Sequence, residues 1–155
     1  MRKATLILDD GTRFCGHSFG AHKNIGGEVV FNTAMTGYTE SLTDPSYAGQ
    51  IMVLTYPLVG NYGVPASDSW ESEQIHAEAL IVSDYSEEFS HWNAKESLGD
   101  WLKREQRPAI TGIDTRALTK LLRERGVMMG RIEIEGVESA PSGLDYGQIN
   151  YVETV

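Results

Sequence analysis

GEVVFNTAMTGYTESLTDPSYAGQIMVLTYPLVGNYGV, residues 27–64, carries two apolar runs with a polar, turn-rich segment between them. The runs GEVVFNTAM and QIMVLTYP have the β-branched and aromatic content of buried strands. Pro57 ends the second run, because proline lacks the N–H that a strand ladder needs. The stretch therefore predicts two core strands, and it raises the question of why so much hydrogen-bonding chemistry lies between them.

The segments on either side of this stretch also have the pattern of strands. On the N-terminal side, ATLILDDGTRFCGHSFG (residues 4–20) alternates apolar and polar residues around Asp10-Gly11, a dipeptide that favours a tight turn. This alternation predicts an opening β-hairpin. On the C-terminal side, QIHAEALIVSDY (residues 74–85) predicts a further strand.

Two segments in the second half of the chain have the period of helices. In SLGDWLKREQRP (residues 97–108), Ser97 is the expected N-cap and the final proline ends the helix. In DTRALTKLLRERG (residues 114–126), Asp114 is the expected N-cap and Gly126 the C-terminal stop. A stripe of leucines predicts the buried face of this second helix.

Short strands follow each of the helical segments. They are AIT (residues 109–111) and VMMGRIEIEG (residues 127–136), so strand and helix alternate as in βαβ units. The sequence therefore predicts an α/β domain with a mixed sheet, a strand-rich first half and two helices in the second half, both on one side of the sheet. The predicted domain comprises residues 1–138, and residues 139–155 are expected to be a loosely packed exit segment.

Composition limits the classes of function. The chain has 155 residues, 41% of them hydrophobic, and a formal net charge of −9, which argues against nucleic-acid binding because phosphate backbones are bound by dense basic faces. A single cysteine excludes an internal disulfide. No charged-then-apolar leader and no apolar run of about 18 residues is present, so neither export nor membrane insertion is expected and the cytoplasm is the predicted location.

The charge is unevenly distributed along the chain. Residues 103–131 contain eight basic and three acidic side chains, a net charge of +5, so the remainder of the chain has −14. One interpretation is a solvated helix surface with basic residues near helix C-termini, where the macrodipole favours them. The other is a docking face for an acidic partner. The sequence leaves both open.

The sequence offers little catalytic chemistry. Cys15 is the only thiol, and its spacing from His17 places both side chains on one face of a strand, so a Cys/His pair has to be considered. A hairpin strand lacks the sharp turn and the oxyanion-stabilising N–H groups of a nucleophile elbow, so no catalytic residue is predicted. The other histidines, His22, His76 and His91, lack metal-ligand spacing, and no metal site is predicted.

The polar segment TDPSYAG (residues 43–49) has two interpretations. Asp44-Pro45-Ser46 is a turn signal, because proline presets φ and the aspartate can bond the backbone two residues on. The same segment also concentrates hydrogen-bonding side chains on a loop between two strands, as a binding edge does. The polar residues that flank the Asp44-Pro45-Ser46 turn are Thr36, Tyr38, Thr39, Glu40 and Tyr47.

Three strings of the sequence agree with one known family. They are DGTRFCGHSFG, the stretch 27–64 quoted first, and GIDTRALTKLLRERGVMMGRI. Together they closely resemble the N-terminal domain of the small, glutamine-hydrolysing subunit of carbamoyl-phosphate synthetase, in the right order and over essentially the whole chain. The resemblance implies a three-layer β/β/α arrangement. It also implies that the position matching Ser46 contributes to the glutamine site from across a domain boundary.

The resemblance further implies that the chemistry is divided between domains and subunits. In the family, a C-terminal class I amidotransferase domain carries a Cys-His-Glu set, with its cysteine in a Gly-x-Cys-x-Gly elbow that does not occur in this sequence. Ammonia released from glutamine travels through a tunnel to a large subunit, which uses ATP, Mg²⁺ and bicarbonate to make carbamoyl phosphate for pyrimidine and arginine synthesis. This chain is therefore expected to be the non-catalytic half, to bind no cofactor, and to contact both the amidotransferase domain and the large subunit.

Two alternatives come from other classes of protein. One is a stand-alone binding or regulatory module with the same fold, and the other is a small Cys/His hydrolase. The leading hypothesis and the binding module differ in whether the reading frame continues past Val155 into a segment with the Gly-x-Cys-x-Gly elbow. The sequence does not distinguish a role in arginine synthesis from one in pyrimidine synthesis.

Overall fold

Seven strands and three helices make up the described part of the molecule, which in this computed structural model comprises residues 2–32, 38–55, 74–85 and 98–137. The strands are β1 (Lys3–Leu8), β2 (Arg13–Ser18), β3 (Ile25–Asn32), β4 (Gln50–Leu54), β5 (Ala79–Ile81), β6 (Ala109–Thr111) and β7 (Met128–Ile134). The helices are α1 (Tyr38–Thr43), α2 (Leu98–Arg104) and α3 (Thr115–Arg125), with a 3₁₀ turn at Pro45–Tyr47. The strands form one closed barrel in the order β1-β2-β6-β5-β4-β3-β7.

The opening hairpin forms as the sequence predicts, with β1 antiparallel to β2 on one side and to β7 on the other. In the turn, the Gly11 N–H donates to Leu8 O at 2.9 Å, and Gly11 has a φ of +92°, which glycine adopts without a Cβ penalty. Asp10 Oδ1 accepts the Thr12 N–H at 2.9 Å, and this hydrogen bond holds the pKa of Asp10 below its ordinary value.

The other half of the barrel is parallel. Strands β3, β4, β5 and β6 run in the same direction, and the antiparallel pairs β3–β7 and β2–β6 close the sheet. The two core strands predicted in residues 27–64 are β3 and β4. The strand predicted over residues 74–85 is shorter than expected and comprises only Ala79–Ile81. An isolated bridge between Ala77 and Ala48 precedes it.

Each face of the closed sheet carries an apolar cluster. In β4, Ile51 and Val53 point to one face and Met52 and Leu54 to the other, because successive side chains of a strand alternate. The inner cluster joins β1 and β7 to β4 and β5 across the barrel, and α3 packs into it. The outer cluster joins β4 and β5 to α2.

The two sides of the barrel and α2 therefore stack as β/β/α layers. The predicted α/β class, with a mixed sheet, a strand-rich first half and two helices in the second half, is confirmed. The expectation that both of these helices lie on one side of the sheet is wrong, because Trp101 of α2 is in the outer cluster and Leu118 of α3 is in the inner one. A closed sheet has an interior as well as an exterior, and here α3 packs against the inner cluster while α2 covers the outer one.

The ends of α3 follow their sequence signals. Asp114 Oδ1 accepts the Ala117 N–H at 3.0 Å as the N-cap. Gly126, at a φ of +81°, donates its N–H to Leu122 O at 2.9 Å and ends the helix. α2 begins at Leu98, and its predicted cap at position 97 lies outside the described residues.

The sequence does not predict α1. Its six residues, YTESLT, include two threonines, which have modest helix propensity, and a helix this short is not stable by itself. Leu42 and Thr43 at its end are fully buried, and Leu42 belongs to the outer cluster, so packing holds the helix in place. The predicted exit segment, residues 139–155, lies outside the described residues.

Candidate functional site

The turn from Asp44 to Tyr47 presents Ser46 to solvent. Asp44 Oδ1 accepts the Ser46 N–H at 3.0 Å, and the Tyr47 N–H donates to Asp44 O at 3.0 Å. Pro45 occupies the start of the 3₁₀ turn, where its fixed φ fits and its missing N–H removes no hydrogen bond. The predicted Asp-Pro turn is confirmed, and Ser46 is exposed.

Two sets of contacts fix this turn against the sheet. Asn32, the last residue of β3, donates from Nδ2 to Ser41 Oγ at 3.0 Å and to Tyr47 Oη at 3.1 Å. The carbonyl of the buried Leu42 accepts the His76 N–H at 2.8 Å. These contacts of Asn32 and Leu42, here called the frame of Ser46, hold the turn in place. A residue that positions a substrate requires such support.

Hydrogen bonding also sets the charge of the turn. The Ser46 backbone N–H and, to a smaller extent, the Ser46 side chain hold the pKa of Asp44 below its ordinary value of 3.8, and His76 acts in the same direction. Asp44 is thus ionised at neutral pH and engaged with Ser46. The turn can offer a polar ligand a neutral hydroxyl beside a fixed carboxylate.

The polar cluster predicted around this turn is only partly located. Tyr38, Thr39 and Glu40 belong to α1, whose first three residues are described by their backbone alone. Thr36 lies outside the described residues. The hypothesis of a binding edge therefore depends on Ser46 and its frame, and it stays a prediction.

Cys15 and His17 are both exposed and lie on one face of β2, as their spacing predicts. Thr5 Oγ1, on the neighbouring strand β1, is 3.9 Å from Cys15 Sγ. Within the described part of the chain, no hydrogen bond joins this thiol to the imidazole. The pair therefore lacks the contact between nucleophile and base that covalent catalysis requires.

The remaining histidines are dispersed. Burial, followed by the charge of Arg2, lowers the pKa of His22, His76 lies beside the Asp44 turn, and His91 is outside the described residues. Over residues 2–32, 38–55, 74–85 and 98–137, no group of three or more His, Cys, Asp or Glu side chains could hold a metal ion. The helices in the same ranges are too short or too polar to cross a membrane.

The structure divides the basic stretch 103–131 into paired and unpaired side chains. Four of its arginines form ion pairs at N···O distances of 2.9–3.8 Å: Arg104–Glu105, Arg107–Glu78, Arg125–Asp10 and Arg131–Glu133. The other four cations have no carboxylate within 4.0 Å among the described residues: Lys103, Arg116, Lys120 and Arg123. Lys103 and Arg104 lie in the last turn of α2, and Arg123 and Arg125 lie in the last turn of α3, as the macrodipole interpretation expects.

Three of the four unpaired cations line a cavity of about 600 Å³ beside α3. They are Arg116, Lys120 and Arg123, which are four and three residues apart and share one face of the helix. Thr55, directly after β4, and Ser83, soon after β5, also line the cavity. The cavity thus lies at the carboxyl ends of parallel strands, where α/β sheets commonly bind ligands.

The lining of this cavity is positively charged. Among the described residues of the lining, Asp114 is the one ionisable group besides the three cations, so these described side chains have a net charge of +2. Asp114 Oδ1 is engaged as the helix cap by the Ala117 N–H. Arg123 Cζ lies 5.2 Å from the centroid of the Phe31 ring, a cation–π contact that orients the guanidinium. The cavity can therefore attract an anion.

Sequence reasoning found the basic stretch and missed the cavity. The available signal was the spacing of Arg116, Lys120 and Arg123, which predicts three cations on one face of a helix. The hydroxyl-bearing wall at Thr55 and Ser83 comes from distant parts of the sequence, and closure of the sheet brings it to α3.

The fold and these two features define a class of protein: an α/β domain with a closed mixed sheet that presents an anchored polar turn and a basic cavity. A family model described as carbamoyl-phosphate synthase small chain, CPSase domain, matches residues 6–132. The chain belongs to this family, as the three strings of its sequence predict.

Curated relatives agree with this membership. The chain is 47% identical over 163 residues to the carbamoyl phosphate synthase arginine-specific small chain of Eremothecium gossypii, a match that covers 99% of this chain and 41% of the relative. It is 53% identical over 145 residues to the multifunctional protein URA2 of Saccharomyces cerevisiae, covering 86% and 6%. It is 50% identical over 143 residues to the multifunctional protein CAD of Squalus acanthias, covering 87% and 6%. The chain therefore spans less than half the length of each of these relatives.

Two solved structures show a weak similarity. A peptidase M28 precursor from Shewanella amazonensis SB2B gives a TM-score of 0.48 with 7% identity, over 86% of this chain and 34% of that one. An aminopeptidase from Aneurinibacillus sp. strain AM-1 gives a TM-score of 0.45 with 15% identity, over 87% of this chain and 31% of that one. A likeness at this level indicates nothing about function.

Proposed function

We propose that this chain is the non-catalytic N-terminal domain of the small subunit of a glutamine-dependent carbamoyl-phosphate synthase. The observation that carries the proposal is the family match over residues 6–132. In the assembled enzyme, an amidotransferase domain of the small subunit would release ammonia from glutamine, and the large subunit would use that ammonia to form carbamoyl phosphate. This domain would supply interfaces and one edge of the glutamine site.

Ser46 is the residue proposed for the edge of the glutamine site. Its exposed side chain, its backbone bond to Asp44 and the anchoring of its turn by Asn32 and Leu42 support this role. A neutral hydroxyl can bond polar groups of glutamine without taking part in hydrolysis at the amide carbon. Ser46 would therefore contribute to substrate binding and leave the catalytic step to the other domain.

The proposed partners and cofactors follow from family membership. The large subunit and the amidotransferase domain would contact this domain, and ATP and Mg²⁺ would bind to the large subunit, with no cofactor bound here. We expect a cytoplasmic location, without a membrane or nucleic-acid partner. Relatives with arginine-specific and with multifunctional names are both about half identical to the chain, so the proposal covers either pathway.

Replacing Ser46 in the assembled enzyme tests the proposal. Loss of one neutral hydrogen bond costs about 0.5–1.5 kcal/mol, so Ser46→Ala should raise the KM for glutamine by several-fold to about tenfold. The kcat should change little, because the bond is made equally in the ground state and the transition state. Activity with externally supplied ammonia should survive, because that route bypasses the glutamine site.

Cys15→Ser is a matched control for this experiment. Cys15 is exposed on β2 and is not part of the Ser46 turn, so this variant should keep the wild-type KM and kcat for glutamine. A loss of glutamine turnover in a folded Cys15→Ser variant would contradict the assignment of this domain as non-catalytic. Unaltered glutamine kinetics in Ser46→Ala, or an equal loss of ammonia-dependent activity, would contradict the assignment of Ser46.

A further inference from the structure

The cavity beside α3 brings together cations that nothing in the described part of the chain neutralises. Arg116, Lys120 and Arg123 have no carboxylate within 4.0 Å there, whereas the four other arginines of the stretch 103–131 are each paired with one. Like charges on successive turns of one helix face repel each other. An anion placed among them removes that repulsion, so the arrangement favours a negatively charged ligand.

Thr119 is an independent indication of a ligand. It lies in the wall of the same cavity, is 6% exposed, and its Oγ1 has no hydrogen-bond partner among the described residues. A buried hydroxyl without a partner costs free energy, and such groups call for an explanation. Thr119 lies on the helix face shared by Arg116, Lys120 and Arg123, so an oxygen atom of a ligand bound among these cations can also accept a hydrogen bond from the Thr119 hydroxyl.

We infer that this cavity binds a phosphate-type dianion, either free phosphate or the phosphate group of a small monoester. The side chains that line the cavity in the described part of the chain have a net charge of +2, and a phosphate monoester carries about −1.5 to −2 at neutral pH. Its oxygens are acceptors for guanidinium, ammonium and hydroxyl donors, and all three donor types line the cavity. The volume of about 600 Å³ is typical of small-molecule sites and leaves room for the organic part of a monoester.

The shape of the charged group favours phosphate over a dicarboxylate. The three cations lie on two successive turns of one helix and around one buried hydroxyl, so they suit a compact group with several oxygens on one centre. A dicarboxylate divides its charge between two separated ends. Ser46, Asn32 and Leu42 do not line the cavity among the described residues, although Thr55 of its wall donates from Oγ1 to Asn32 O at 3.3 Å. A phosphate site here does not require the proposed role of Ser46, so the two proposals are independent.

Calorimetric titration of the purified full chain with inorganic phosphate, and separately with phenyl phosphate, tests the inference. The ionic strength is held constant, because salt screens non-specific attraction. Saturable binding of one ligand per chain is expected, and the phenyl ester distinguishes a site for monoesters from a site for free phosphate. Arg116→Ala and Lys120→Ala should each weaken binding by about tenfold to a hundredfold, because hydrogen bonds to charged groups are the strong ones.

Lys103→Ala is the matched control for these two variants. Lys103 is also an exposed cation of the stretch 103–131 with no carboxylate within 4.0 Å among the described residues, but it lies on α2 and does not line the cavity. Phosphate binding by Lys103→Ala should equal that of the wild type. Equal weakening by Lys103→Ala and Lys120→Ala would indicate general attraction to the basic surface and would overturn the inference.

Thr119→Val separates a ligand-binding hydroxyl from a structural one. Valine has nearly the same shape and removes the unpartnered hydroxyl, so the free chain should be as stable as the wild type or more stable. Phosphate binding should weaken by several-fold, a typical effect of one lost hydrogen bond. Loss of stability without a change in phosphate binding would make Thr119 a packing residue and would contradict its part in the site.

Two further titrations can overturn the assignment of the ligand. Succinate binding as tightly as phosphate would show a site for carboxylates. A glutamate-rich peptide that binds in a Lys120-dependent way, when neither inorganic phosphate nor phenyl phosphate gives saturable binding, would show a docking surface for an acidic polypeptide. We expect phosphate to bind and both succinate and the glutamate-rich peptide to bind weakly or not at all. This result would support a phosphate site.

Discussion

The α2 and α3 helices have similar sequence signals and different roles. Both carry basic residues in the last turn, yet α2 buries four of its seven residues and α3 buries four of eleven. α2 covers the outside of the sheet with a fully buried Trp101, whereas α3 packs Leu118 and Leu122 against the inner cluster and lines a cavity with its cations. The face of the sheet that a helix covers therefore decides whether it serves as a scaffold or as the wall of a site.

The outer side of the barrel, which α2 covers, is close-packed, and backbone atoms take part in the contacts. Gly99 of α2 donates its N–H to Tyr85 Oη at 2.8 Å, and Tyr85 stacks on Phe19 with ring centroids 4.1 Å apart. The frame of Ser46 is on the same side, because Leu42 belongs to the outer cluster and Tyr47 packs against it. Substitutions on the α2 side should therefore change stability, and substitutions of the α3 cations should change binding.

The largest expected effect on stability is at Trp101. Trp101→Ala leaves a cavity in the outer cluster and should lower the free energy of unfolding by about 3–5 kcal/mol. Arg116→Ala, on the exposed face of α3, should change it by no more than about 0.5 kcal/mol. Urea denaturation of both variants measures the difference. Similar losses in the two variants would contradict the difference in packing between α2 and α3.

A smaller effect is expected at Gly99. Glycine to alanine in a helix ordinarily stabilises by about 0.5–1 kcal/mol, but a Cβ here would lie 2.8 Å from Tyr85 Oη and 2.9 Å from Phe19 O. Gly99→Ala should therefore destabilise by about 1–3 kcal/mol. Thermal unfolding can measure this destabilisation. In a Tyr85→Phe background, where the nearest contacting oxygen is absent, Gly99→Ala should cost less than it does in the wild type. A stabilised Gly99→Ala variant would show that α2 packs less tightly than described.

The next effect concerns the cap of α3. Asp114→Ala removes the acceptor of the Ala117 N–H and should cost about 1 kcal/mol. Asp114→Asn keeps an acceptor oxygen and should retain most of the stability, so the pair of variants separates capping from charge. Denaturant unfolding of both is the measurement. Equal losses in the two variants would mean that the carboxylate charge, and not the cap, matters here.

The smallest effect is the titration of Asp44 in the Ser46 turn. The folded-state pKa of Asp44 lies below the ordinary 3.8, so its contribution to stability is present above that pH and is lost as the pH falls through the folded-state pKa. NMR titration of the side-chain carboxyl should show the lowered pKa in the wild type. In Ser46→Ala the pKa should rise part of the way back, because the side-chain bond is lost and the backbone bond remains. A pKa at or above the ordinary value in the wild type would show that Ser46 does not hold this carboxylate.

Local features of the fold could be read from the sequence. The Asp10-Gly11 turn, the Asp114 cap and the Asp44-Pro45 turn each depend on residues within a few positions, and all three form as predicted. The predicted extent of the strand over residues 74–85 is wrong, because pairing with β4 and β6 determines where that strand begins and ends. The helix α1 was missed because packing of Leu42, and not local propensity, holds it.

The two functional features, the Ser46 turn and the cavity beside α3, also differ in how much of each the local sequence predicts. The exposure of Ser46 follows from local turn chemistry, but its proposed role came from the family resemblance and not from its neighbours in sequence. The cavity could not be predicted, because Thr55, Ser83 and the cations of α3 meet only through the order of the strands. The two faces covered by α2 and α3 depend on closure of the sheet, which no local pattern encodes.

The position of β7 has a consequence for biosynthesis. β7 pairs with both β1 and β3, so the barrel cannot close until residues 128–134 have left the ribosome. Until then β1 and β3 each expose an unpaired edge, the kind of surface that recruits other chains. Contacts between residues so far apart in sequence also form slowly. The nascent chain should therefore depend on chaperones during translation and be prone to aggregation when truncated before β7.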